Sequence, residues 1–204
     1  MSDANDTSRD QRHRDRMKRK KAIVDEGINQ ATEERGIIIL LKGTGKGKSS
    51  SAIGMVARAL GHGMKVGVVQ FIKGKWQTGE QMLFEKHPDV QFEVMGTGFT
   101  WDTQDRQKDI DAALSTWAHA ERMLADPAID LVVLDELTYM FQYDYLPLDS
   151  VLEAFKNRPA HQHLVVTGRP APEALEELAD TVTEVRNVKH AFKAGIKAQP
   201  GVDW

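Results

Sequence analysis

The apolar run Gly36-Ile37-Ile38-Ile39-Leu40-Leu41 passes through Lys42 into Gly43-Thr44-Gly45-Lys46-Gly47-Lys48-Ser49-Ser50. A strand that breaks into glycines and resumes as a helix starting Lys-Ser commits a chain to an arrangement around a polyphosphate. The glycines let backbone N–H groups converge, the lysine adds a point charge, and the serine hydroxyl is a hard ligand for magnesium. Gly43, Gly45 and Gly47 are therefore assigned to a backbone cradle, Lys48 to phosphate charge and Ser49 to the metal. Lys46 and Ser50 are further contacts, and Thr44 is counted with the same loop. The spacing is unusual. The common form Gly-x-x-x-x-Gly-Lys-[Ser/Thr] needs glycine at position 42, where this chain has Lys42. The loop is one residue short, so an ordinary nucleoside triphosphatase does not follow from it.

At 204 residues the chain is long enough for a substantial single core. No apolar run approaches the roughly 20 residues that span a bilayer, which argues against a membrane protein. Residues 1–19 lack the apolar stretch of a secretory signal. The absence of cysteine excludes disulfides, thiolate metal sites and cysteine nucleophiles, and fits a cytoplasmic protein. Charge is unevenly spread: residues 1–21 carry eight Lys/Arg against four Asp, while the whole chain is at −3. Residues 1–28 read as a polar basic arm, either a solvated leader or a helix that folds over an anionic ligand or a partner subunit. One basic tail is too little surface to imply nucleic acid. The expected division is an arm at 1–28 and a phosphate-binding domain at 29–204.

Beyond residue 36, apolar strands at 37–41, 65–72, 90–95, 131–134, 164–167 and 182–185 alternate with helical patterns. Those helices are expected at 48–60, 80–87, 109–125, 148–157 and 173–179. The predicted fold is α/β, a mostly parallel sheet of about six strands with helices on both faces, like that of P-loop NTPases. Ligands of such sheets sit beyond the C-terminal strand ends.

At those ends the fourth strand offers Asp135 and Glu136: Asp135 is placed to hold magnesium, directly or through water, and Glu136 to act beside it. After the fifth strand, Thr167-Gly168-Arg169 offers Arg169, to pair with a triphosphate or to bridge to either acid. Phe99 and Trp101, in the loop after the third strand, form an apolar wall suited to a large flat organic substrate, or simply a core lid. The Trp-bearing loop at 73–80 reads equally as substrate contact or packing. The seven histidines show no pattern with carboxylate partners that argues for a metal centre.

Taken in order, Gly43-Thr-Gly-Lys-Gly-Lys-Ser49, Gly67-Val-Val-Gln-Phe-Ile-Lys-Gly74, Gly98-Phe-Thr-Trp101, Val133-Leu-Asp-Glu-Leu-Thr-Tyr139, Thr167-Gly-Arg169 and Val188-Lys-His-Ala-Phe192 resemble the ATP:corrinoid adenosyltransferases. In that family a short phosphate loop is usual. Thr44 and Ser49 stand where asparagine and threonine are common. The resemblance implies transfer of the 5′-deoxyadenosyl group of ATP to Co(I) of cob(I)yrinic acid a,c-diamide, cobinamide or cobalamin, with release of triphosphate. It implies magnesium or manganese, a reduced flavodoxin or other flavin reductant, and a homodimer closed by the basic arm. It also gives Phe99 and Trp101 the task of displacing the lower axial ligand of Co(II). Two other classes remain at this stage: an NTPase or kinase that cleaves the β–γ bond, and a nucleotide switch without turnover.

Overall fold

A strand with every side chain buried has no face for water, so a sheet built from such strands must be covered on both sides. Two strands here are of that kind, β2 (Val66–Gln70) and β4 (Leu131–Asp135). The computed structural model describes residues 3–72, 77–96 and 105–204, with side chains from residue 9. The chain divides into two units, Met1–Glu34 and Arg35–Trp204.

The first unit is one helix, α1 (Asp3–Gln30). It has no proline and no glycine before Gly27, and its Arg, Lys and Gln residues favour helix. An i,i+4 ion pair, Lys21–Asp25 at 2.7 Å, adds a few tenths of a kcal/mol, about what exposed pairs contribute. Its described side chains are exposed, including the apolar Ile23, Val24 and Ile28.

In the second unit the other strands are β1 (Ile38–Lys42), β3 (Val90–Val94), β5 (His163–Thr167) and β6 (Thr181–Glu184). The helices are α2 (Lys48–Gly61), α3 (Gly79–Phe84), α4 (Arg106–Ala125), α5 (Thr138–Gln142), α6 (Leu148–Asn157) and α7 (Glu173–Leu178). All six strands are parallel, in the order β3-β2-β4-β5-β1-β6. Alternation along each strand sorts two cores. Leu40, Val132, Leu134 and Val166 meet Trp117 of α4 and Phe155 of α6. Leu41, Leu131, Val133 and Val165 meet Ala52, Val56 and Ala59 of α2. Helices therefore cover both faces of the sheet, as the alternating pattern requires.

Opposite the site, at the other end of the sheet, Gln162 is fully buried and its Nε2 donates to the carbonyls of Met123, Asp126 and Ile129 at 3.1–3.2 Å. This amide ties the end of α4 to the start of β4. The sequence reading missed α5, whose five residues are too few for a period to show. The last strand also differs: β6 is an edge strand exposed at all four positions, and its Thr-Val-Thr-Glu carries the polarity that an edge allows.

Candidate active site

Parallel register decides which residues meet at the C-terminal ends of the strands. β4 runs beside β5 with Leu134 opposite Val166, which sets Asp135 next to Thr167, and beside β2 with Asp135 opposite Gln70. Thr167 Oγ1 donates to Asp135 Oδ1 at 2.6 Å and accepts from the Glu136 N–H at 2.9 Å. One hydroxyl therefore orients the Asp135 carboxylate and holds the backbone of Glu136. The sequence reading singled out this segment for Arg169 and did not assign Thr167. The signal for it was strand adjacency, which a linear reading does not contain.

Asp135 is buried, and burial raises its pKa; hydrogen bonds from Thr167 and Ser49 act the other way, and the charge of Glu80 raises it further. Ser49 and Asp135 are thus brought together, as a magnesium site made of one hydroxyl and one carboxylate requires. Among the described residues no group of three or more His, Asp or Glu converges as a metal cage. A cation here would depend on phosphate oxygens for much of its shell, which is how magnesium is usually held in nucleotide sites. Glu80, from α3, is a third acid near Asp135, one that the sequence reading did not assign.

Glu136 sits at φ 58°, in the left-handed region where non-glycine residues are uncommon. Burial, and then the charge of Asp135, raise its pKa to about 7 against the pull of Lys48 and Arg169. Its Oε2 is buried with no hydrogen-bond partner among the described residues.

The phosphate loop leads into α2 at Gly47, φ 120°. Lys48 is only 6% exposed, and its Nζ donates to the Gly45 carbonyl at 3.0 Å. Desolvation lowers its pKa, the charges of Glu136 and Asp135 raise it, and that of Arg169 lowers it. The cradle needs one correction. The N–H groups of Gly43 and Gly45 donate to the carbonyls of Arg169 (3.0 Å) and Val185 (2.7 Å), so neither is a free donor for phosphate in this structure. These glycines instead allow close approach: a Cβ would lie 2.5 Å from the Val185 oxygen at Gly43 and 2.7 Å from the Arg186 backbone at Gly45.

Thr44, Lys46, Gly47, Lys48, Ser49 and Ser50 line a cleft of about 680 Å³, with Glu136 and Arg169 on its wall. Arg169 is exposed and forms no ion pair with either acid. The chain's last residues, Gly201 to Trp204, and His190 also line the cleft, a placement that the sequence did not suggest. Phe99 and Trp101, and Lys73 to Trp76, lie outside the described residues.

Gly168 holds this end of the sheet close. A Cβ there would fall 1.7 Å from Thr138 Oγ1 and 2.8 Å from Thr138 Cβ, and Thr138 is buried at the start of α5. A β-branched side chain has little room to turn away. Gly168→Ala is expected to destabilise the protein by about 2 kcal/mol, lowering Tm by roughly 4–8 °C. A melting curve unchanged from wild type would show that the contact relaxes freely.

The model of the family described as ATP:corrinoid adenosyltransferase BtuR/CobO/CobP matches residues 34–204. A second, described as cob(I)alamin adenosyltransferase N terminal, matches residues 1–28. A corrinoid adenosyltransferase of Pseudomonas aeruginosa is 62% identical over 197 residues, covering 96% of this chain and 97% of that protein. The corrinoid adenosyltransferase CobA of Salmonella typhimurium is 56% identical over 195 residues, covering 96% and 99%. A corrinoid adenosyltransferase of a Sinorhizobium species is 46% identical over 198 residues, covering 96% and 92%.

Proposed function

The chain belongs to the ATP:corrinoid adenosyltransferase family, an enzyme family that adenosylates corrinoids with ATP, and from that premise we propose how its residues divide the work. The corrinoid's Co(I) attacks C5′ of ATP. Its electron pair forms the cobalt–carbon bond, the C5′–O bond breaks, and that bond's electrons leave on triphosphate. Cobalt is the nucleophile, so no side chain has to be activated as one. What remains for the protein is alignment of C5′ with cobalt and stabilisation of the charge that grows on the leaving group.

Lys48 and the N-terminal end of α2 supply most of that stabilisation. Ser49 and Asp135 would hold magnesium, or manganese, at the phosphates, where the cation would supply positive charge for the triphosphate. Glu136, with a pKa near neutrality, donates a hydrogen bond to the triphosphate in its protonated form. Ser50, Lys46 and Arg169 complete the anionic end. The observation that carries this reading is the convergence of Lys48, Ser49 and Glu136 on one cleft, with Asp135 near enough to Ser49 for that hydroxyl to act on its carboxyl.

Family resemblance supports the finer assignments. These are a homodimer, a basic arm at 1–28 apart from the catalytic domain at 29–204, a cytoplasmic setting, and reduction of Co(II) by flavodoxin or another flavin reductant. Among the described residues no helix is long and apolar enough to cross a membrane. Phe99 and Trp101 would displace the lower axial ligand of Co(II). Replacing both with alanine should lower the rate with cob(II)alamin and a flavin reductant at least tenfold while leaving ATP affinity near normal. Equal loss of ATP affinity would sink that role.

The direct test supplies ATP, magnesium and chemically reduced cobalamin, follows the cob(I)alamin absorbance and assays triphosphate. Stoichiometric triphosphate with alkylated cobalt supports the mechanism. Steady orthophosphate release without corrinoid, and no alkylation when it is present, would overturn it.

A further inference from the structure

Lys46 was expected on phosphate. In the structure its Nζ lies 2.5 Å from Oδ1 of Asp203, 157 residues away in sequence. The other carboxylate oxygen, Oδ2, accepts from the Gln199 N–H at 2.8 Å. A tight turn fixes this arrangement: the N–H groups of Val202 and Asp203 donate to the Gln199 carbonyl at 3.3 and 2.8 Å, and that of Gly201 to the Trp204 carbonyl at 2.7 Å. His190 faces the same cleft and is oriented by the Phe192 N–H donating to its Nδ1 at 3.2 Å. Lys46, His190 and Asp203 all line the cleft that holds Lys48 and Ser49.

The carboxylate is therefore held by an ammonium and a backbone N–H. A phosphate oxygen would be bound by the same two kinds of group. The pair draws the Asp203 pKa below the usual carboxylate range, with Lys46 as the first cause. Such a group stays ionised throughout neutral pH and is a standing competitor for Lys46.

We propose that Asp203 is a positioning residue whose carboxylate occupies a phosphate subsite of the cleft and exchanges Lys46 with the triphosphate of ATP, reclaiming it as the product leaves. The proposal rests on the triphosphate reading of the cleft given above. Its value lies in release: triphosphate is a multiply charged anion held by several cations, and a tethered carboxylate that takes one of them back weakens that hold. The exchange also ties the end of the chain to the state of the loop.

The effect should be modest, because the Lys46 and Asp203 side chains are 44% and 25% exposed and solvent screens them. Asp203→Asn keeps the shape and retains an acceptor for Gln199. In calorimetric titrations of the full chain with inorganic tripolyphosphate, this variant should bind about fivefold more tightly than wild type. It should also show stronger product inhibition by triphosphate during cob(I)alamin adenosylation. In a Lys46→Ala background the Asp203→Asn effect should vanish, because there is no longer a cation to compete for. A merely structural role for Asp203 predicts the opposite sign, since a loosened turn would weaken binding. Asp203→Ala gives the same expected sign if the asparagine variant does not fold. Equal or weaker tripolyphosphate binding by a natively melting variant would overturn the exchange and leave the cleft assignment standing. No tripolyphosphate binding by the wild-type protein would instead overturn the cleft assignment itself.

Discussion

Lys48→Met is expected to lower kcat for adenosylation by about a hundred- to a thousandfold, roughly 3–4 kcal/mol of transition-state stabilisation. Lys48 is 6% exposed, and its ammonium donates to the neutral Gly45 carbonyl. A buried cation so placed contributes little to folding. Its folded-state pKa is lowered, so folding carries a penalty for the charge that is full below the folded pKa, fades as pH rises past it and is gone above the pKa of the unfolded chain. Methionine keeps the length and removes that penalty. The Tm of the variant should therefore equal or exceed that of wild type near pH 7, with any gain shrinking towards pH 10. Catalysis behaves differently. Negative charge on the leaving oxygen grows as the C5′–O bond breaks, so the lysine binds the transition state more strongly than it binds ATP, and its loss appears in kcat. Initial rates of cob(I)alamin alkylation across a range of ATP concentrations read this directly. A raised KM with unchanged kcat would reduce Lys48 to an ATP-binding residue.

The contrast between this lysine and Thr167 shows what a linear sequence can express. The phosphate loop is a local device, with strand, glycines, Lys-Ser and helix in continuous order, and the structure places β1, the loop and α2 as that order predicts. The acids after β4 were equally local: four apolar residues running into Asp135 and Glu136. Thr167 acts on those acids across the gap between two strands, about thirty residues away, and only the register of β4 on β5 brings it there. The engagement of the Gly43 and Gly45 N–H groups was hidden for the same reason, since their partners Arg169 and Val185 come from the ends of other strands.

Residues 188–204 carry neither an apolar period nor a turn signal strong enough to predict where they lie. Their contact with the loop includes the Lys46–Asp203 pair, two charges that no spacing rule connects. The arm was ambiguous on composition alone; its backbone is the helix α1, and its described side chains are exposed.

Glu136→Gln should stabilise the protein while removing its dependence on pH near neutrality. The folded-state pKa of Glu136 is pushed up to about 7 from the ordinary 4.5, with desolvation as the first cause. A carboxyl with a raised pKa binds its proton more tightly when folded. Stability is therefore lost as pH climbs from about 4.5 to about 7, and the loss is complete above that. The gap corresponds to at most about 3 kcal/mol, less any part shared with neighbouring Asp135. Glutamine cannot ionise and inherits the same φ of 58°, so backbone strain cancels in the comparison. Melting curves of the two proteins should coincide near pH 4 and separate by up to roughly 6–12 °C at pH 8.5, with the variant higher. Glutamine also remains a hydrogen-bond donor, as the protonated acid is. Adenosylation by the wild-type enzyme should then decline as pH rises through about 7, on the reading that the charged form repels triphosphate, while that of the variant stays level. Parallel Tm profiles would mean that the carboxyl is better solvated than its buried Oε2 implies. Parallel rate profiles with divergent melting would confine Glu136 to stability and leave charge on the leaving group to Lys48 and the Ser49–Asp135 pair.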